Sequence, residues 1–500
     1  MIRTALALLA IASLAAASSP ARAEAAAGTS AAPSLGDTGQ APPLRSGELP
    51  AADDGNVLVD LAVVPTEMVR YDVNGQELPG AFLLGTWANL ATRSFSDSRV
   101  RMVSSFRFDL DTAVTAKEQA AFQPYLQPTS YSLFSAYLEA ELPHGVQMRL
   151  GRQFHADAAD YLAFDGANID WDIPATPLTL ELYGGVRTTF AIATGQLASS
   201  LYQLDGVQQE SSDQPLVGTV LRWKGSLVHR AQASLGFRWS GRTPGDPTLP
   251  DQINTTAEEL VASAGGDLGP VHLWGAAAYE VVLEALMQAQ AAATVDLASL
   301  FGHWVPEKLL AGDTVSLQYR RYRPVFALDS IFNYFSIYPY DEYALALDGW
   351  AFGGLRLDLR GFSRWFFSDT TDRGGNPLTI APGPESANGG QLSGVWSSGP
   401  LLVDAVGELE TGALGTRFLL DGGVRRSLGE AFELFGRLSL SRFALAQQPT
   451  QEGMSYGAAA GATWHLPAHA NVSLVLQETV NPFATAVPSL FAVADLARWL

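Results

Sequence analysis

The sequence predicts an all-β chain folded as a transmembrane, antiparallel, up-and-down β-barrel with an even number of strands, between roughly 18 and 22. Three observations predict it. Apolar and polar residues alternate with a period of two. Several alternating runs extend for about 10 to 13 residues, twice the common strand length and close to what a tilted strand needs to cross a bilayer. Short turns tend to alternate with long polar connections, as they do in outer-membrane barrels.

The alternation is plainest from Arg99 to Asp111. Val100, Met102, Ser104, Phe106, Phe108 and Leu110 share one parity, while Arg99, Arg101, Arg107, Asp109 and Asp111 share the other. Phe134, Ala136, Leu138, Ala140 and Leu142 alternate with Ser135, Tyr137, Glu139 and Glu141. After Pro143-His144-Gly145 the pattern resumes with Val146, Met148 and Leu150 against Gln147 and Arg149, which reads as a hairpin with a tight turn. Later runs include Ala231 to Trp239 and Leu355 to Arg360. The alanine-rich stretch Ala276 to Ala293 is the best helical candidate and reads equally as two strands. Leu490 to Leu500 is the weakest strand, with apolar residues on both parities and Trp499 penultimate.

Short turns are expected at Pro143-His144-Gly145, Leu268-Gly269-Pro270, Ser427 to Glu430 and Pro467-Ala468-His469, and long connections near 112–130, 188–214, 240–255 and 366–390. A soluble sandwich or propeller would also alternate, but with shorter strands and more evenly spaced turns. Trp223, Trp239, Trp350 and Trp365 fit interfacial girdles and equally a packed core.

The opening residues fit this architecture. Met1-Ile2-Arg3, an apolar run from Ala5 to Ala17 and then Ser18 to Ala23 read as a signal peptide over 1–23, cleaved after Ala23. Residues 24–55, rich in Ala, Pro, Gly and Ser, read as a flexible segment, and 56–500 as the barrel. The expected location is the bacterial outer membrane. Its lipid and its barrel-assembly machinery would be the expected partners.

The chain has no cysteine, which excludes disulfides, thiolate metal sites and cysteine nucleophiles. A formal charge of −20 with 31 Lys+Arg and no basic run argues against a nucleic-acid partner.

If the apolar parity faces lipid, then Arg101, Arg107, Arg149, Arg187, Arg222, Arg238, Arg320, Arg356, Arg360 and Arg437 point inward, together with Asp109, Glu139, Glu141, Glu181, Asp358, Glu408 and Glu410. Such a wall suits a selectivity ladder for small polar or anionic solutes. For any single residue the favoured reading is a salt bridge that fills and rigidifies a wet interior. Arg320-Arg321-Tyr322-Arg323, followed by the aromatic-rich Ile331 to Tyr343, is the densest feature, readable as a folded-in loop or as an aromatic belt with a solvated strand end.

The stretch Leu138 to Val186 carries Arg149-Leu150-Gly151-Arg152-Gln153, Phe164-Asp165-Gly166 and Tyr183-Gly184-Gly185. This succession resembles the Gly-Arg-Gln, Phe-Asp-Gly and aromatic-Gly-Gly motifs of alginate-export-type outer-membrane barrels, over about a tenth of the chain. Such short motifs also suit hairpins of other porin-like barrels. The resemblance implies a monomeric barrel with an arginine-rich lumen that passes an anionic polysaccharide, and it implies that Arg149 and Arg152 lie on the lumen side or near a barrel mouth.

No cofactor, metal site or enzyme activity is expected. Seven histidines are scattered, with His144, His155 and His469 read in turns and His229 and His272 in strands. No pair has metal-ligand spacing, and no Gly-x-Ser-x-Gly pattern occurs. His155 with Asp157 and Asp160 reads more readily as a solvated loop than as a polar site. The expected function is therefore a porin or export channel for polar or anionic solutes, with carbohydrate among the candidate classes. The competing reading is a barrel without transport, acting as a surface scaffold or a lipid-modifying enzyme.

Overall fold

The computed structural model describes residues 57–71, 77–92, 99–111, 129–156, 161–188, 215–225, 229–242, 254–282, 284–302, 304, 313–322, 339–352, 354–366, 386–412, 415–445, 448–466, 470–481 and 484–499. The 1–23 and 24–55 segments therefore lie outside the described residues, as do Asp157 and Asp160.

Alternation is realised as strands throughout. The first are β1 (Val57–Tyr71), β2 (Glu77–Thr92), β3 (Val100–Asp111), β4 (Thr129–Leu142), β5 (Val146–Ala156), β6 (Tyr161–Asp172) and β7 (Leu178–Thr188). Then come β8 (Pro215–Gly225), β9 (His229–Arg242), β10 (Asn254–Leu268), β11 (Val271–Glu280), β12 (Ala285–Asp296), β13 (Thr314–Tyr322), β14 (Tyr340–Phe352) and β15 (Leu355–Phe366). The last are β16 (Ser386–Ser398), β17 (Leu401–Gly412), β18 (Gly415–Ser427), β19 (Phe432–Leu445), β20 (Gln448–Leu466), β21 (Ala470–Asn481) and β22 (Ala484–Trp499).

Each strand pairs antiparallel with the next, and β22 pairs with β1 from Leu58↔Trp499 to Met68↔Ser489, closing one sheet of 22 strands. The even number falls at the top of the expected range. Ala276 to Ala293 resolves as two strands, β11 and β12, in antiparallel register. The weakly patterned C-terminal stretch supplies the closing strand, because pairing on both edges compensates its poor alternation.

One rim carries short turns: 143–145, 173–177, 269–270, 399–400 and 428–431. His144 and Gly145 take φ of 64° and 74° to make the first of these turns. The other rim holds the long connections 112–128, 189–214, 243–253, 323–339 and 367–385, so the expected asymmetry is observed. It fades after β17, where both rims have short connections.

One connection on the short rim is long, running 297–313 between β12 and β13. It opens with a five-residue helix, α1 (Leu297–Phe301), capped by the Asp296 carboxylate, which accepts from the Ala298 N–H. Asp313 at its other end is 1% exposed, and neither of its carboxylate oxygens has a hydrogen bond among the described residues. Burial pushes its pKa up, and the nearby Asp296 charge adds to the shift.

The wall has one sharp crease. Gly151, Gly166 and Gly185 stand in register across β5, β6 and β7. A Cβ on Gly166 would lie 2.0 Å from the Gly184 carbonyl oxygen, one on Gly185 would lie 2.1 Å from that of Asp165, and one on Gly151 would lie 2.2 Å from that of Ala136. Only glycine permits this approach.

Beyond the crease the strand ends fold back over the inner wall. Tyr183 lies level with Asn168 and Arg149, six residues along β5 from His155, or roughly 20 Å in a straight strand. The His155 and Tyr183 rings nevertheless stack with centroids 4.2 Å apart. Phe164, fully buried, joins Leu162, Tyr183, Leu216 and Val220 in an apolar cluster between the folded ends and the wall. His155, expected in a solvated turn, is thus a buried strand residue, because the crease removes it from the rim.

Two outcomes are expected. Gly166→Ala forces a methyl into backbone and lowers stability by about 1–3 kcal/mol in denaturant titrations, with β content retained. Asp313→Asn removes a carboxylate that tolerates its proton better than its charge. Wild-type stability falls as pH rises through the raised Asp313 pKa, so the variant melts higher at pH 8 and the gain shrinks toward pH 4.

Candidate functional site

A closed sheet has a convex face, where side chains diverge, and a concave face, where they converge and cover each other. Leu138, Leu182, Leu235, Leu317, Leu345, Leu438 and Leu476 share the convex parity and stand exposed, Leu438 at 69%. Glu139, Glu181 and Glu342 share the concave parity and are 3% exposed. Apolar-out and charged-in is the arrangement expected of a barrel in lipid.

The inward charges form two ladders. The first crosses β3 to β8. Glu139 accepts from Arg101 and, at 3.1 Å, from Arg149 Nε. Arg149 reaches Asp170 at 4.0 Å, and Arg222 Nη1 donates to Asp170 at 3.3 Å. Arg222 also pairs with Glu181, whose carboxylate contacts His155 Nδ1 at 3.0 Å and accepts from Asn168 Nδ2 at 2.5 Å. Cation and carboxylate alternate along this chain, so each buried acid is compensated by its neighbours.

The second ladder crosses β14 to β18. Glu342 takes Arg360 and Arg364, the latter at 2.5 Å from Nε, and Arg364 Nη1 continues to Glu410 at 2.6 Å. Arg417 joins Glu408 and, at 3.8 Å, Glu410. The guanidinium of Arg364 also lies 4.4 Å from the Phe362 ring centroid and 5.2 Å from that of Tyr340. Arg437 pairs with Asp421 and Asp404, Arg238 with Glu259, and Arg356 with Asp358 at 3.6 Å.

All ten arginines expected inward hold the inward register parity. Asp109, Glu141 and Glu181 hold it as well. Arg107 packs over Trp87 at 4.4 Å. Arg187, Arg320 and Lys224 carry no carboxylate partner among the described residues, Arg320 lying 5.5 Å from the Tyr322 ring centroid.

Arg152 does not share the parity of Arg149 and stands just past Gly151, near the end of β5. It lies three residues after Arg149, so the two-residue period puts it on the opposite, convex side of the crease, where Nε and Nη2 grip Asp165 at 2.7 Å each and Nη1 donates to the Leu133 carbonyl at 3.1 Å. Gln153 turns inward and donates to the Gly166 carbonyl at 3.2 Å. The motifs that carry the family resemblance therefore build the crease: glycines on its axis, an ion pair clamping its outside and an amide bond on its inside.

The same parity splits the 320–323 cluster. Arg320 and Tyr322 face in, while Arg321 faces out and is held by Asp341, with Tyr319 Oη donating to that carboxylate at 3.0 Å. Tyr343 and Trp365 stand exposed beside this outer pair. Residues 323–338 lie outside the described residues.

Glu342, Arg364, Arg417, Asp170 and Asp421 join the ladders in addition to the residues expected from the sequence. Each lay in the charged parity of its strand, and extending the alternation test to every run would have found them. No group of three or more His, Cys, Asp or Glu side chains among the described residues is arranged to hold a metal.

The fold and its two-faced wall define a closed up-and-down β-barrel of the membrane-spanning type. No protein-family model matches the chain, and no curated protein matches it. Among solved structures it is similar to Acinetobacter baumannii OccAB1 at 9% identity and TM-score 0.41, covering 89% of this chain and 97% of that one. It is similar to Pseudomonas aeruginosa OccK2 (OpdF) at 10% identity and TM-score 0.40, covering 89% and 98%. The P pilus usher (PapC) translocation pore gives 8% identity and TM-score 0.38, covering 89% and 100%. The architecture rests on the register and closure of this chain itself.

Glu342→Gln leaves Arg360 and Arg364 against a neutral partner. A loss of roughly 2–3 kcal/mol in urea unfolding of the detergent-solubilised protein is expected. A change below about 0.5 kcal/mol would place these pairs among solvent-screened surface ones.

Proposed function

We propose that this chain is a channel of the bacterial outer membrane for small polar solutes, with a preference for anions. The observation that carries the reading is the two-faced closed wall: exposed aliphatic side chains outside, and inside a surface of arginine and carboxylate that only water or a polar solute would accompany.

The anion preference is drawn from the inward-parity cations that have no ion pair among the described residues. Most inward arginines are neutralised within the ladders and serve first to rigidify the wall. Among the described residues, Arg320 and Lys224 on the wall and Arg187 on the folded-back end of β7 are the inward-parity cations without an ion pair, and these would add attraction for a passing anion. Their positive charge stands against a chain of net charge −20, so the preference is local to the wall they line. The likeness of the crease motifs to alginate-export barrels makes uronate-type carbohydrate the first solute class to test. An N-terminal signal peptide and delivery by the barrel-assembly machinery complete the reading.

The test is conductance in planar bilayers under a salt gradient, comparing wild type with Arg187→Ala/Arg320→Ala. Stable steps with an anion-selective reversal potential that moves toward zero in the double variant are expected. An inserted, folded barrel that gives no steps would contradict the channel reading. A reversal potential unchanged by the substitutions would contradict the assignment of selectivity to these two arginines.

A further inference from the structure

A cavity of about 450 Å³ lies on the concave face of β5 to β8, bounded by the short-rim turn at Gly145 and by the folded-back end of β5 at His155. That volume suits a small solute together with a few waters. Three cations, Arg149, Arg222 and Lys224, line it with three carboxylates, Asp170, Asp172 and Glu181. With His155 neutral the lining carries no net charge, so the niche as a whole favours neither an anion nor a cation.

Most of these charges satisfy one another. Arg222 donates to Asp170 at 3.3 Å and pairs with Glu181, while Arg149 lies 4.0 Å from Asp170 and donates from Nε to Glu139 at 3.1 Å. Asp172 and Lys224 are left. Asp172 accepts from Thr179 Oγ1 at 2.7 Å and has no cation partner among the described residues. Lys224 is fixed through its backbone N–H, which donates to the Pro177 carbonyl at 2.9 Å, and its ammonium has no carboxylate partner among the described residues. The register Asp172↔Thr179 and Thr179↔Arg222 puts Asp172 two strands from Arg222, with Lys224 two residues further along β8. Two strand spacings and two residues amount to roughly 12 Å between the Asp172 and Lys224 Cα atoms. Two opposite charges thus line one cavity without touching, at a separation that a small molecule can bridge.

We infer that this niche is a binding station for a zwitterionic solute of amino-acid or dipeptide size, which sets its ammonium on Asp172 and its carboxylate on Lys224. The inference rests on the channel reading and names a solute class for it. Charge decides the class. A simple anion on Lys224 leaves Asp172 facing it without compensation, and a simple cation on Asp172 leaves Lys224 in the same position. A neutral sugar hydrogen-bonds to the lining and compensates neither charge. A molecule that carries both signs gives each group a charge-assisted hydrogen bond. Both side chains are exposed, so such a contact is weak enough for the solute to leave again, as conduction requires.

Binding is read by isothermal titration calorimetry on the folded, detergent-solubilised full chain at neutral pH. Glycylglycine is the zwitterionic probe, N-acetylglycylglycine the anion and glycylglycinamide the cation. Glycylglycine is expected to bind about tenfold more tightly than either of the others, the step that accompanies loss of one hydrogen bond between charged groups. Substitution should then split the two singly charged probes: Asp172→Asn favours N-acetylglycylglycine over glycylglycinamide, and Lys224→Gln favours the reverse. Neither exposed side chain contributes core packing, and retained β content by circular dichroism checks that both variants fold. Equal binding of the three probes, no heat with any of them, or D-glucose binding as tightly as glycylglycine would overturn the station and leave the channel reading standing. A wild type that binds glycylglycine in the expected order but passes no current in planar bilayers would support the station and remove the channel reading.

Discussion

Closure of the sheet is the constraint on which the rest depends. A strand edge facing lipid leaves a row of N–H and C=O groups without partners, at several kcal/mol each, and only pairing of the last strand with the first removes that row. Here Leu58 to Met68 of β1 meet Ser489 to Trp499 of β22, and no edge is left. Closure then fixes the meaning of sequence parity: one set of side chains must face out and the alternate set in, all the way round. The exposed leucines and the buried glutamates are two readings of that one fact.

The concave face concentrates charge, and the ladders are the response. Carboxylates as covered as Glu139, Glu181 and Glu342 would be costly alone, so each is held between cationic or amide donors from neighbouring strands. Because the donors come from other strands, the ladders also tie the sheet across its width. Polarity that serves a solute and polarity that stiffens the wall are thus built from the same residues. What separates the two roles is whether a cation keeps a carboxylate partner: Arg364 has two, while Arg187 has none among the described residues.

The architecture was legible because it is local. A two-residue period in Val100 to Leu110 or Leu355 to Arg360 needs no knowledge of the rest of the chain, and the distribution of short and long connections orients the strands. The interior site was legible by parity alone, and parity applied strictly would have separated Arg152 from Arg149 onto the opposite face of β5. The crease was not legible. Its glycines are separated by 15 and 19 positions in sequence (151 to 166, 166 to 185), and their function appears only when β5, β6 and β7 lie in register. His155 was misplaced for the same reason: the fold-back that buries it is a property of three strands together. The partners of Glu342 likewise come from a separate strand, β15, across a connection whose register the pattern does not specify.

The most direct test of this account is site-directed spin labelling along β19, from Glu433 to Arg442, in the reconstituted protein. Collision rates with oxygen and with a water-soluble nickel chelate are read at each position. Labels at 434, 436, 438 and 440 are expected to be accessible to oxygen and shielded from the chelate, while labels at 435, 437, 439 and 441 are expected to be accessible to the chelate. Equal chelate access on both parities would contradict it, since the leucine face would then meet water and the barrel would not lie in a bilayer.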